Sequence, residues 1–185
     1  MSTTTATAAN VTTWNLDPAH SIAEFKVKHM MISNVKGHFS GLSGTLTLHE
    51  PEHTLTRIEA SVDVSTVSTG DAQRDGHLKS AEFFDVEKFP TMTFKSTRVE
   101  PKSDGDFTVT GDLTLHGVTK TVTFAVSDVS APAKDPWGNT KIGLAATTKI
   151  NRKDFGLTWN AALETGGFLV GDEATVTLEV QFIKA

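Results

Sequence analysis

The sequence predicts an all-β domain, an antiparallel barrel or sandwich of about eight strands. Apolar and polar residues alternate with a period of two in successive segments, a pattern typical of strands with one buried face. Threonine, a good strand former that suits a solvated face, fills most of the polar positions. Such a succession of strands favours a barrel or sandwich over an α/β arrangement.

The apolar rows define the predicted strands in chain order. They are Ala23/Phe25/Val27/His29, Leu42/Gly44/Leu46/Leu48, Ile58/Ala60/Val62/Val64, Met92/Phe94/Ser96, Phe107/Val109/Leu113/Leu115, Val122/Phe124/Val126, Ile142/Leu144/Ala146/Thr148/Ile150 and Val176/Leu178/Val180/Phe182. We expect these rows to face one interior, because a register shift of one residue would turn lysines and glutamates inward. Glycines inside strands, such as Gly41 and Gly111, suit the bends of a curved wall.

Residues 70–89 interrupt the alternation. Asp71 and Ser80 are plausible N-caps, so one or two short helices are predicted here. The adjacent Phe83 and Phe84 cannot both face one side of a strand. On a short helix they could close one end of a barrel or simply fix the segment to the core, and the two interpretations are compatible.

Length and composition limit the class of protein. A chain of 185 residues suits one domain with a substantial core. The net charge of −5 and the scattered basic residues argue against a nucleic-acid partner. The absence of cysteine excludes disulfides and thiolate chemistry. No stretch approaches the roughly 18 apolar residues of a membrane-spanning helix, so we expect no stable membrane insertion.

The N-terminal segment, residues 1–13, is rich in threonine, alanine and serine. It lacks both the basic and the apolar region of a signal peptide. We therefore predict a flexible tail at 1–13, a barrel domain at 14–185 and a cytoplasmic location.

Catalytic and metal motifs are weak. The spacing of the seven histidines matches no metal-binding motif, so no metal site is predicted. The sequence contains neither a G-x-S-x-G elbow nor a glycine-rich phosphate motif. Arg74 with Asp75, and Arg152 with Asp154, could bind a ligand headgroup or fix loops, and loop fixing is slightly favoured for the second pair.

Five ordered segments, spread from Trp14 to the C-terminus, resemble the YceI family. They are Trp14-Asn-Leu-Asp17-Pro-Ala-His20-Ser21, Gly37-His-Phe39-Ser-Gly41, Arg74-Asp75-Gly-His77-Leu78-Lys-Ser80-Ala-Glu-Phe83-Phe84-Asp85, Gly111-Asp-Leu-Thr-Leu-His116-Gly117-Val-Thr119-Lys120 and Asn151-Arg152-Lys-Asp154-Phe155-Gly156-Leu157. Members of this family are lipocalin-like barrels that bind polyisoprenoid lipids, and many look exported. The resemblance implies a single eight-stranded antiparallel β-barrel with one or two short helices capping one end.

Composition alone leaves open whether the barrel is hollow or filled by side chains, and the resemblance favours a hollow one. It implies non-catalytic binding, storage or transport of a long-chain isoprenoid lipid, of polyprenyl or isoprenoid-quinone type, with no other cofactor. The expected apolar cavity residues are Phe25, Val27, Phe39, Leu46, Val62, Val64, Leu78, Phe83, Phe84, Met92, Phe94, Leu113, Leu115, Ile142, Leu144, Trp159, Val176 and Leu178. The expected mouth or headgroup residues are His20, Arg74, Asp75 and Arg152.

Two alternatives remain at this stage. One is a hydrolase that uses His20 with Arg74 and Asp75 on a lipid headgroup. The other is a packed barrel, structural or interacting, without a ligand. The headgroup, the chain length of the lipid and the formation of a homodimer are not fixed by the sequence.

Overall fold

The strands of residues 10–185, the part of the chain that this computed structural model describes, form one antiparallel sheet. They are β1 (Val11–Leu16), β2 (Ile22–His29), β3 (Ser33–Phe39), β4 (Leu42–His49), β5 (Thr54–Asp63), β6 (Thr91–Pro101), β7 (Phe107–Leu115), β8 (Val118–Ser127), β9 (Ala133–Lys134), β10 (Thr140–Asn151) and β11 (Val170–Lys184). One α-helix, α1, extends over Ala72–Lys79, and short 3-10 turns lie at Pro18–His20, Val64–Thr66, Ser103–Gly105 and Arg152–Phe155.

The sheet closes on itself because β11 pairs with β10 on one edge and with β1 and β2 on the other. Along that second edge, β2 pairs with residues 170–179 of β11 and β1 pairs with residues 182–184. The two short strands therefore follow each other along the same neighbour and together count as one strand of the barrel wall, which we call one position. In the same way, β3 pairs with β2 and β4 with β1, so these two share the next position. The wall has eight positions, and the predicted eight-stranded antiparallel barrel is confirmed.

Two breaks divide these shared wall positions, and local chemistry explains both. Between β1 and β2, the Asp17 carboxylate accepts a hydrogen bond from the backbone N–H of Ala19 at 3.1 Å, at the start of a 3-10 turn that contains Pro18. Between β3 and β4, the Thr66 hydroxyl accepts from the backbone N–H of Gly41 at 3.1 Å. A Cβ at Gly41 would approach the Thr66 methyl group to 2.8 Å, so this close approach requires glycine.

The alternation of apolar and polar residues places one face of every wall strand in a common interior, as the sequence predicts. One end of this interior is packed. Trp14 is only 1% exposed there, and its Nε1 donates to the Thr12 hydroxyl at 3.0 Å. Leu46 and Leu48 of β4 are fully buried in the same part of the barrel, where Leu46 is the direct cross-strand partner of Trp14. We call this the closed end.

Residues 70–89, which we call the capping segment, contain a single helix within the described part of the chain. Asp71 is its N-cap, as predicted, and its carboxylate accepts from the backbone N–H of Arg74 at 2.9 Å. The prediction that Ser80 starts a second helix is wrong. Ser80 is the C-cap of α1, its hydroxyl donates to the His77 carbonyl at 2.6 Å, and the residues that follow form hydrogen-bonded turns.

The N-terminal tail predicted for residues 1–13 overlaps the first strand of the structure. Residues 11–13 already belong to β1, where Thr12 pairs with Leu48 of β4. The remainder of the predicted tail, up to residue 9, lies outside the described residues. Within 10–185, no helix has the length and apolar character needed to cross a membrane.

Candidate functional site

The barrel encloses a cavity of about 820 Å³, a size in the range of about 300–1,000 Å³ that is usual for small-molecule sites. Its wall is formed by apolar side chains that every barrel position contributes. They are Leu16, Ala23, Phe25, Val27, Val35, Phe39, Leu42, Ile58, Ala60, Val62, Met92, Phe94, Val109, Leu113, Leu115, Phe124, Val126, Leu144, Ala146, Ile150, Ala174, Val176, Leu178, Val180 and Phe182. Since these side chains leave the middle of the barrel unfilled, the barrel is hollow.

The mouth of the cavity lies opposite the closed end. It is bordered by α1, by the turns that follow α1 and by the loop 156–169 before β11. Phe83 and Phe84, adjacent in the chain, join different aromatic clusters at this mouth. Phe83 packs against Trp159 with ring centroids 5.3 Å apart, and Phe84 packs against Phe39 at 5.7 Å. Both rings border the cavity at the mouth.

Arg152 is the buried charged residue of the mouth. Its side chain borders the cavity and is only 5% exposed. The guanidinium donates to four backbone carbonyls, those of Leu157 at 2.6 Å, Trp159 at 2.9 Å, Gly171 at 2.7 Å and Val170 at 3.3 Å. Desolvation by burial lowers the pKa of Arg152, and the charge of Asp172 opposes this effect.

These four bonds explain the conformation of the loop before β11. They hold the start of the loop and the start of β11 together, so Arg152 fixes the loop, as the sequence slightly favoured. The predicted Arg152–Asp154 pair is absent from the ion pairs of the described residues. A guanidinium has five N–H donors, and four of them are used within the described residues. One N–H of Nη2 has no acceptor among the described residues.

Arg74 and Asp75 connect α1 to the loop that precedes it. The Asp75 carboxylate accepts from the Thr69 hydroxyl at 2.6 Å and from the Thr69 backbone N–H at 2.8 Å. The hydroxyl bond is the largest cause of a lowered pKa at Asp75. Arg74 donates through Nε to the same hydroxyl at 2.7 Å and through Nη2 to the Thr69 carbonyl at 3.0 Å. Arg74 borders the cavity, whereas Asp75 does not.

His20 lies away from the cavity, and its predicted place at the mouth is wrong. Its Nδ1 is 2.9 Å from Asp17 Oδ2, in the break between β1 and β2. The same oxygen accepts from Lys141 Nζ at 2.8 Å. This bond lowers the pKa of Asp17 and raises that of Lys141. Because the break lies beside Gln181, far along β11 from the mouth, His20 cannot join Arg74 and Asp75 in a catalytic group.

The predicted cavity residues border the cavity with three exceptions. Leu46 has the correct parity but lies at the closed end beside Trp14. Ile142 lies next to Leu144 in the inward row, one pair nearer the closed end, and is buried outside the cavity. Val64 follows the end of β5 in a 3-10 turn, where the alternation no longer applies, and its N–H donates to the Pro90 carbonyl at 2.9 Å.

Sequence reasoning missed several residues that border the mouth. His77 at the C-terminal end of α1 packs edge-on against Phe83 and Trp159. Leu157 and Leu169 come from the irregular loop, which has no periodicity from which an inward face could be identified. On the strands, Ile150 and Phe182 belonged to the predicted rows and could have been included. The exposed Glu24 and Lys28 also border the cavity, although alternation places them on the outer face.

Metal binding finds no support among residues 10–185, where no three His, Asp or Glu side chains come together in a suitable cluster. Every buried side-chain nitrogen and oxygen of this part of the chain has a hydrogen-bond partner. Arg74 and Arg152 at the mouth are held in place by acceptors within the protein itself.

The family of the chain follows from comparisons with known proteins. A model of the YceI-like domain matches residues 14–182. The chain belongs to the YceI family. A UPF0312 protein of Vibrio vulnificus is 40% identical over 152 residues, which are 81% of this chain and 80% of the relative.

Two solved structures show the same fold. The YceI protein of Campylobacter jejuni has a TM-score of 0.71 and 29% identity, and the match covers 85% of this chain and 90% of that protein. A polyisoprenoid binding domain from Saccharophagus degradans has a TM-score of 0.64 and 17% identity, with 93% and 98% covered. The family resemblance of the sequence motifs is therefore confirmed.

Proposed function

We propose that this YceI protein binds a long-chain isoprenoid lipid, of polyprenyl or isoprenoid-quinone type, and stores or transports it without chemical conversion. The observation that carries the proposal is the apolar cavity of about 820 Å³ inside a closed barrel. The family and the described specificity of the Saccharophagus domain support lipid binding at the level of the family. An apolar wall offers water few hydrogen-bond partners, so the cavity favours an apolar occupant.

The dimensions of the barrel suit a prenyl tail. A strand of about ten residues, tilted by about 40°, spans roughly 25 Å of barrel height. An isoprene unit extends about 5 Å, so about five units would fill the full height. The packed closed end takes part of that height, so fewer units fit in a straight conformation and longer tails bend or protrude through the mouth. Each buried unit contributes on the order of 3–4 kcal/mol, against association and ordering costs of roughly 4–15 kcal/mol. Submicromolar affinity is therefore expected from the tail alone.

The polar end of the lipid is proposed to lie at the mouth. The closed end offers Trp14 and leucines, whereas the guanidinium groups of Arg152 and Arg74 border the cavity at the mouth. The Nη2 donor of Arg152 that has no acceptor among the described residues suits a hydroxyl, a quinone carbonyl or a phosphate oxygen. Apolar burial does not distinguish among these headgroups, so Arg152 is the residue expected to influence the choice.

A hydrolase is not supported by the arrangement of the site. The side chains on which it would depend are separated, because His20 pairs with Asp17 away from the cavity and Asp75 is held by Thr69. Binding without chemistry is the function that the geometry supports best.

The test identifies the bound molecule. Freshly purified protein is examined by native mass spectrometry, and its organic extract is analysed for lipids. We expect an adduct whose mass matches a prenyl lipid, and we expect delipidated protein to regain it from a prenol or an isoprenoid quinone. If the protein carries no adduct, and prenyl lipids neither bind to the delipidated protein nor raise its Tm, the proposal is wrong.

A further inference from the structure

The tip of the β2–β3 hairpin exposes apolar side chains beside the cavity mouth. Met31 and Ile32 are 63% and 79% exposed, and Phe168 on the neighbouring loop is 58% exposed. Met30 joins the two elements, because its backbone N–H donates to the carbonyl of Leu169, which borders the cavity, at 2.8 Å. We call Met30, Met31, Ile32 and Phe168 the rim patch. It is an apolar surface on two connected loops at the entrance of an apolar cavity.

The same hairpin is positively charged on a protein of net charge −5. Between Ile22 and Phe39 it carries three lysines, Lys26, Lys28 and Lys36, against one acidic residue. The lysines are exposed, and none of them forms an ion pair within the part of the chain that the structure describes.

The positions of two of these lysines indicate an external anion. Lys26 and Lys36 are direct cross-strand partners, and together they border a shallow polar groove on the outer face of the hairpin. Like charges directly opposite each other destabilise an antiparallel pair. Glu24 borders the same groove, but neither lysine forms an ion pair within the described residues. Three lysines against this one glutamate leave the hairpin a surplus of two positive charges, which favours a negatively charged surface outside the protein.

We propose that this hairpin docks the protein on an anionic lipid bilayer, with the rim patch in the boundary between headgroups and acyl chains and the cavity mouth facing the membrane. At about 3.3 Å per residue, Lys28 and Lys26 lie roughly 7 and 13 Å behind Met30 along β2. Apolar tips of peripheral proteins enter the bilayer by roughly 5–10 Å. The lysines then lie at the level of the lipid phosphates.

The small size of the rim patch favours a bilayer over a protein partner. Four side chains fall short of the roughly 800 Å² that each partner of a stable protein complex buries. A few apolar side chains beside basic residues are sufficient for peripheral membrane binding. Docking in this orientation gives an apolar ligand a path between membrane and cavity that does not cross water.

The test measures sedimentation of delipidated protein with vesicles. We expect binding to vesicles that contain phosphatidylglycerol, weaker binding to pure phosphatidylcholine, and loss of binding at high salt. Two variants, M31S/I32S and K26E/K36E, should each lower the bound fraction at least about tenfold. Neither variant changes a residue that borders the cavity.

Two matched controls should bind the vesicles like the wild type. W137S changes an 83% exposed side chain in the turn before β10, at the opposite end of the barrel from the mouth. K102E/K134E makes the same change in charge at exposed positions away from the mouth, after the end of β6 and on β9. The proposal is overturned if the wild type does not bind anionic vesicles or if both test variants bind them as the wild type does. It is also overturned if M31S/I32S abolishes a concentration-dependent dimer, which would make the rim patch a protein interface.

This result is separable from lipid binding in the cavity. Equilibrium affinity for a prenol delivered from cyclodextrin, without membranes, should be the same in the wild type and in all of these variants. Loading from vesicles should be slower in M31S/I32S and K26E/K36E. A protein that binds the prenol but not vesicles would refute the docking surface and leave the proposed ligand intact.

Discussion

Phe83 packs against Trp159 across the cavity mouth, with ring centroids 5.3 Å apart and the rings inclined at 48°. The first ring comes from the turns after α1 and the second from the loop that Arg152 fixes. Two segments far apart in the sequence therefore meet above the cavity, and a ligand that enters through the mouth would pass this contact.

The first prediction concerns this contact. Phe83→Ala should accelerate dissociation of a bound prenyl lipid roughly 2- to 10-fold, because an aromatic pair contributes about 0.5–1.5 kcal/mol beyond its buried area. The rate is measured by transfer of a fluorescent prenyl probe to excess vesicles. Phe89→Ala is the control, because Phe89 packs against His116 and does not border the cavity. Equal rates in both variants would show that the mouth is not the path.

The second prediction concerns the volume of the cavity. Ala146 faces the cavity from β10, between Val126 and Leu178 on the neighbouring strands. Ala146→Trp should fill this space and abolish the thermal stabilisation by a prenyl lipid. In the wild type, a ligand at about 100 times its Kd should add roughly 2.7 kcal/mol to the free energy of unfolding, a Tm shift of about 5–10 °C.

The control for this experiment is the next residue in the chain. Ala145 lies on the other face of the same strand and does not border the cavity. Ala145→Trp should therefore keep the ligand-induced shift of Tm. If both tryptophan variants respond to the lipid as the wild type does, the lipid binds elsewhere.

Strands and cavity walls could be predicted from the sequence because period-two alternation is a local signal. Ala146 and Leu178 were assigned to inward rows on this basis, and their parity is confirmed. What the alternation does not give is the height of a residue along the barrel axis. Leu46 has the same parity as the cavity residues, but it lies beside Trp14 at the closed end, because the pairing of β1 with β4 is a long-range feature.

The mouth was the part that sequence reasoning described least well. His20 stands beside a serine in a motif of the family, and nothing local indicates that the β1–β2 break turns it toward Asp17 instead of the cavity. Arg152 was singled out, but its neighbouring Asp154 suggested an ion pair. Its partners are backbone carbonyls up to 19 residues away, such as that of Gly171. Every residue has a backbone carbonyl, so such acceptors cannot be recognised from the types of residue in a sequence.

The third prediction concerns pH. A hydrogen bond from Lys141 is the largest cause of the lowered pKa of Asp17, and His20 adds to it. A carboxyl group with a lowered pKa stabilises the fold above its unfolded pKa of about 4, and this stabilisation is lost as the pH falls through the folded pKa. The pKa of Lys141 is raised, so its contribution is present below about pH 10 and is lost at higher pH.

Asp17→Asn should therefore lower Tm by roughly 4–8 °C at neutral pH, and the difference from the wild type should shrink near pH 3. Asp112→Asn is the control, because Asp112 is exposed on β7. It should leave Tm almost unchanged at both pH values. A difference for Asp17→Asn that is as large at pH 3 as at pH 7 would show that the charge is not the cause.

The fourth prediction compares two glycines inside wall strands. A Cβ at Gly111 would lie 2.3 Å from the Lys95 carbonyl oxygen and 2.6 Å from the Phe94 ring, whereas a Cβ at Gly143 would meet only the Val180 oxygen, at 3.7 Å. Gly111→Ala should lower the free energy of unfolding by about 1–3 kcal/mol. Gly143→Ala should be neutral or stabilise by about 0.4–1 kcal/mol. Urea denaturation measures both, and equal effects would contradict the role of close approach at Gly111.

The last prediction concerns the motion of the capping segment. No residue of α1 is fully buried, and α1 is held at its start by the bonds of Arg74 and Asp75 to Thr69. In delipidated protein the amides of 70–89 should therefore exchange with solvent faster than those of β7, and a bound prenyl lipid should protect them.

Breaking the contact at Thr69 tests the physical cause of this motion. Thr69→Val keeps the shape of the side chain but removes the hydroxyl that Asp75 and Arg74 share. Amide exchange over 70–89 should therefore accelerate in the protein without ligand. If the free energy of opening the segment falls by about 1 kcal/mol or more, the rate should rise roughly 5-fold or more. Thr119→Val, which removes a hydroxyl bonded to Thr114 in the β7–β8 pair, should leave exchange in 70–89 unchanged. Equal protection of the segment with and without lipid would show instead that it is a fixed plug, and that the ligand enters without its opening.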